Sequence, residues 1–147
     1  MTHTLAYEFF DYALWLAGLG HFVILIASFQ VPGRLDWKHD LAQLKPFNRK
    51  LLWVQGSFTV LTIIAFGVLI LTLHGELLSG DHAAMGLAVF IAVYWAARVL
   101  VDIFYFSHSD WPRGRLFVVG HILLTSLFSS LVAVFAALIV WHLVLKA

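Results

Sequence analysis

The sequence predicts an all-α integral membrane protein, an up-down-up-down bundle of four transmembrane helices, and three observations carry that expectation. Of 147 residues, 62% are apolar and 12% charged, against roughly 25% charge in an ordinary soluble domain. Mean hydropathy is +0.92. The apolar residues gather in four runs, each close to the ~20 residues a helix needs to cross a hydrocarbon core. None of the runs alternates with period two. An open sheet would also leave edge N–H and C=O groups unpaired in lipid, so strands are excluded.

The spans follow in order, as one domain over residues 1–147. The first is expected over about 7–31, stopped by Pro32-Gly33, because proline withholds a backbone donor and crowds the preceding turn. The second runs over about 48–73, after Pro46, with Asn48 as its expected N-cap. The third covers about 83–107, ending before Asp110-Trp111-Pro112, and the fourth covers about 114–145. Between the first two spans, Trp37, Leu41 and Leu44 recur at i, i+4 and i+7 among charges. That pattern predicts a short amphipathic helix on the inner membrane surface, acting as a brace. Trp111 beside Pro112 reads as an interfacial anchor.

Charge sets the expected orientation. Arg34, Lys38, Lys45, Arg49, Lys50, Arg113 and Arg115 are seven of the nine cations and fall in the first and third loops. The positive-inside rule makes those loops cytoplasmic. Glu8, Asp11, Glu76 and Asp81 lie opposite, with Lys146. Both termini are then outside, as in a bacterial inner membrane. No Lys or Arg precedes the first apolar run, so it is expected to stay as a span and not be cleaved as a signal peptide.

Composition also excludes functions. A formal net charge of +1 offers no nucleic-acid-binding arm. The absence of cysteine removes disulfides, thiolate nucleophiles, cysteine-held clusters and covalent haem attachment. Hydrolase elbows, zinc-protease helices and nucleotide-binding glycine loops are missing, which argues against hydrolytic and nucleotide-driven chemistry.

What remains is a layer of polar residues inside the spans, where ionisable groups are costly and usually mark a site or a buried pair. Counted from the inner ends at 1.5 Å per residue, His21 and Arg98 lie roughly 15 Å deep, Gln55 and His121 roughly 13 Å, and Asp102 roughly 9 Å. Each span places its polar residues on one face: Tyr94, Arg98, Asp102 and Tyr105; His121, Thr125 and Ser129; Gln55, Thr59 and Thr62; His21 and Ser28. These faces are expected to converge on the bundle axis. An Arg98–Asp102 salt bridge at i, i+4 would neutralise both charges. Ser and Thr in spans are expected to bond neighbouring helices.

His21 and His121 each follow a glycine, Gly20 and Gly120, and an interior glycine suggests close approach by a helix or a flat macrocycle. Three readings compete. In the first, His21 and His121 are axial ligands of a non-covalent haem b, with Arg98 and Tyr105 receiving propionates and Tyr94 nearby. The chain would then carry electrons, exchanging them with quinol or another redox subunit. In the second, His21, His121 and Asp102 form a two-histidine, one-carboxylate site for iron or zinc, with Gln55 behind it. In the third, the layer is a proton relay or solute site of a transporter, working as a homo-oligomer, or the buried bonding of a structural subunit. The first uses every unusual residue. The second leaves Arg98 beside a metal. His74, His82 and His142 are expected near the outer surface, and His39 and His108 near the inner one.

Overall fold

The computed structural model describes residues 2–106 and 114–145. Four of its helices are long and apolar enough to cross a membrane. They are α1 (Thr2–Arg34), α3 (Pro46–Thr72), α5 (His82–Phe104) and α6 (Arg115–Val140), with short helices α2 (Trp37–Ala42) and α4 (His74–Ser79) between them. A π-helical turn, Trp141–Leu145, extends α6. The protein is an all-α membrane bundle in contact with lipid.

Helix ends differ from the expected ones for local reasons. Pro32 does not stop α1; it lies inside the final turn, and the helix runs on to Arg34. A proline there forgoes a single N–H bond near a helix end, which is a tolerable loss. The chain is turned instead at Asp36, in the left-handed region with φ 47° and ψ 44°. Asn48 is not the cap of α3. Pro46 opens that helix after Lys45, using a ring whose fixed φ suits the first helical position and whose missing N–H would be unpaired anyway. Asp81 caps α5, its carboxylate accepting from the Ala83 and Ala84 N–H groups at 3.0 and 3.1 Å. That helix ends at Phe104, short of residue 107. His108, Trp111 and Arg113, assigned above to the inner surface, lie outside the described residues, as does Lys146.

α1 packs along α3, α5 packs along α6, and the two pairs meet mainly through α1 and α6. Terminal-end contacts fix the alternation of direction: Phe10 of α1 stacks on Trp141 at 5.0 Å, and Asp11 meets His74 of α4 at 2.7 Å. We call this the terminal end and the opposite, lysine- and arginine-rich end the basic end.

The packing seams are read directly from spacing. Buried positions are Phe10, Leu14, Ala17, His21 and Ile24 on α1; Ile63, Phe66 and Ile70 on α3; Ala84, Ala88, Ile91 and Trp95 on α5; Phe128, Leu131, Phe135 and Leu138 on α6. Steps of three and four average 3.5 residues, the repeat that keeps one stripe facing a neighbour along a left-handed bundle. Every seam is buried towards the terminal end. In the basic half the same positions are no longer buried, and α5 and α6 carry Arg98, Asp102 and His121 there.

Gly67, like Gly18, permits a close approach of α1 and α3. A Cβ at Gly67 would stand 3.0 Å from the Phe22 ring and 3.2 Å from His21 Cβ. The amphipathic helix α2 leans on α3, with the Trp37 ring 5.8 Å from that of Trp53.

Candidate functional site

The polar layer resolves into two clusters. The deeper one centres on His21, which has no solvent exposure. Its Nδ1 lies 2.8 Å from the Ala17 carbonyl one turn back, and its Nε2 accepts the Trp95 indole N–H at 3.0 Å. An indole nitrogen only donates and a carbonyl only accepts, so the ring is a neutral imidazole with its proton on Nδ1. Phe66 packs edge-on to the ring at 5.9 Å, and Trp95 stacks on Phe128 at 4.6 Å. Tyr94 packs against Phe66 and Trp95.

The shallower cluster joins α5 to α6. Asp102 Oδ2 lies 3.1 Å from His121 Nε2 and accepts the Thr125 hydroxyl at 2.9 Å. The Asp102 side chain is 9% exposed and that of His121 22%, so the carboxylate is largely withdrawn behind its two partners. His121 stacks on Phe117, one turn earlier on α6. Thr125 is unusual among the span hydroxyls: Ser28, Ser57, Thr59, Thr62, Thr72, Ser129 and Ser130 all donate back to carbonyls of their own helix. The expectation that such groups bond neighbouring helices holds here for Thr125.

The expected Arg98–Asp102 salt bridge is not formed, because Asp102 turns to α6. The Arg98 guanidinium lies over the Phe128 ring, 5.9 Å from its centroid, and makes no ion pair among the described residues. An arginine at a span centre costs on the order of 2.5–3.5 kcal/mol, which a single aromatic face at this distance offsets only in part.

Several predicted partners stand apart. Gln55 is exposed on α3 and Tyr105 is 80% exposed beyond the end of α5. The two Gly-His steps are not equivalent. Gly20 faces Leu127 of α6, a Cβ there meeting its side chain at 3.4 Å, whereas Gly120 has open space around it. Near the terminal end, His74 holds Asp11, and His142 Nε2 donates to the Leu77 carbonyl at 3.1 Å. Those histidines fasten α4 to α1 and α6.

These contacts bear on the cofactor readings. An axial ligand must offer Nε2 to the iron, yet the His21 Nε2 is occupied by Trp95 and that of His121 by Asp102. Stacked aromatic rings fill the space beside His21. The arrangement does not fit a haem held between the two imidazoles. Nor do three His, Asp or Glu side chains converge as a metal-holding group among the described residues, so His21, His121 and Asp102 do not assemble the expected triad. A shallow cavity of about 170 Å³ lies elsewhere, at the terminal end between Met85, Gly86, Val89, Ile139 and His142.

Sequence reasoning missed Trp95 as the partner of His21. The signal was available: a tryptophan in mid-span, far from either interface, needs an acceptor for its N–H. No known protein family, curated protein or solved structure matches this chain.

Proposed function

We propose that this protein handles protons in the membrane, as a proton-coupled carrier of a small solute, with Asp102 and His121 as the exchanging pair. The observation that carries the reading is the Asp102–His121 contact, which joins two helices within their apolar spans. An imidazole and a carboxylate in hydrogen-bond contact can pass one proton between them without changing the charge of the pair. Thr125 donates to the same carboxylate oxygen, so Asp102 keeps a partner if His121 turns away to release its proton. The unburied basic half of the seams supports access for water from that end.

The positive-inside rule supports placing the basic end in the cytoplasm and both termini outside, in a bacterial inner membrane. A carrier of four spans is expected to work as a homo-oligomer. Neither quinone nor a redox subunit is required by this reading.

The test is proton uptake into vesicles containing a trapped pH-sensitive dye, with a potassium gradient and valinomycin supplying the voltage. Wild-type protein is expected to acidify the lumen well above the protein-free rate. Asp102→Asn and His121→Gln should each lower that rate at least tenfold, the loss expected when an obligatory proton carrier is removed. Equal rates in wild-type and Asp102→Asn vesicles would refute the proposal. A visible spectrum of the same preparation checks the competing electron-carrier reading: a Soret band lost in His21→Ala would restore haem.

A further inference from the structure

We infer that Arg98 is the contact residue of an intramembrane site for an oxoanion, a carboxylate or phosphate group that enters from the basic end. The inference deepens the proton-carrier reading by naming the solute class, and it rests on that reading only for the coupling.

Three observations support it. Arg98 continues the stripe of α5 that carries buried Trp95 three residues earlier and Asp102 four residues later, and is itself exposed in the unburied basic half of that seam. Its guanidinium is aimed inward. A side chain seeking the nearest headgroups would extend towards Phe104, where α5 ends; instead it lies over Phe128. Phe128 is about 20 Å along α6 from Arg115, and about 10 Å beyond His121, at 1.5 Å per residue. Finally, the neighbouring carboxylate that should have neutralised it is committed to His121 and Thr125.

A planar guanidinium lying against one aromatic ring keeps its N–H edges free, and those edges match the two oxygens of a carboxylate or phosphate. Tyr94, one turn before Arg98 on the same face, adds a phenol and an aromatic wall. Phe128 and Tyr94 suit an anion with an apolar body.

The experiment follows the arginine side-chain N–H signals of the ¹⁵N-labelled full chain in dodecyl maltoside, a detergent without charge or phosphate. Benzoate is the soluble probe and phosphatidylglycerol the lipid probe. A saturable shift of the Arg98 signal with benzoate, accompanied by a shift of the neighbouring Trp95 indole N–H that is absent in Arg98→Gln and weakened several-fold in Arg98→Lys, supports a solute site. A shift with phosphatidylglycerol alone supports the same site filled by a lipid headgroup. Arg98→Lys keeps the charge and so covers the case in which Arg98→Gln fails to fold. No saturable shift with either probe in the wild type overturns the inference. Asp102→Asn separates the two proposals. Benzoate binding that survives while wild-type vesicles show no proton uptake leaves the anion site standing and removes the proton reading; uptake without binding does the reverse.

Discussion

Trp95 and His21 form a hydrogen bond that neither residue can replace, because both are enclosed by apolar side chains. Trp95→Phe keeps the ring and its stacking on Phe128 but strands Nε2 of His21. A buried acceptor left without a donor costs about 1–3 kcal/mol. The single variant is therefore expected to lower the unfolding midpoint in detergent, read by tryptophan-independent circular dichroism. Adding His21→Leu to Trp95→Phe removes both partners and should recover part of the loss, since replacing a whole polar pair by apolar groups of similar shape is nearly neutral. If Trp95→Phe unfolds at the wild-type midpoint, the bond contributes nothing to stability. Asp102 is different in kind. Its bonds to His121 and Thr125 lie beside the open part of the seams, where the proposed proton exchange would take place.

Among the elements, α4 depends most on contacts from outside itself. It has six residues, far below the length at which a helix is stable alone. Three attachments hold it: Leu77 and Leu78 are buried in the core, His74 pairs with Asp11 of α1, and His142 donates to the Leu77 carbonyl. The chain leaves α4 through Gly80 at φ 79°, with the His142 ring so close that a Cβ would stand 2.5 Å from its Nδ1. Asp11→Ala is expected to raise amide hydrogen exchange across residues 74–81 several-fold while leaving the centre of α3 unchanged. The exposed side of the Asp11–His74 pair limits its worth to about 1 kcal/mol or less, a several-fold change in a local opening equilibrium. Unaltered exchange in that segment would show that Leu77 and Leu78 hold α4 by themselves.

At the level of the whole molecule, the bundle is closed at one end and polar at the other. The terminal half carries the apolar seams, while the basic half carries Arg98, Asp102 and His121 on the continuation of those seams. Which compartment each end meets is open to a direct test, because the chain has no cysteine of its own. A cysteine at Lys38, in α2, is expected to react with a membrane-impermeant maleimide only after cells are permeabilised. One at Glu76, in α4, should react in intact cells. The opposite pattern would place the basic end outside and reverse the direction assigned to proton entry.

Much of this architecture was legible beforehand. Four apolar runs, their alternation, the short helix around Trp37 and the residues Asp102, His121 and Arg98 as occupants of the spans all follow from composition and periodicity. Those are properties of single helices in a nonpolar solvent, which demands internally satisfied backbones and long apolar segments wherever they lie. Pairing was not legible. Asp102 met His121 and Thr125 and not Arg98, His21 met the Trp95 indole, Gly67 supplied the close approach that Gly120 had suggested, and Gln55 remained outside. One residue of offset turns a helix by about 100° and moves it 1.5 Å in depth. The sequence by itself therefore determined which residues enter the membrane and on which stripe they lie; only the tertiary structure decided who meets whom, because that depends on the mutual rotation and depth of neighbouring helices.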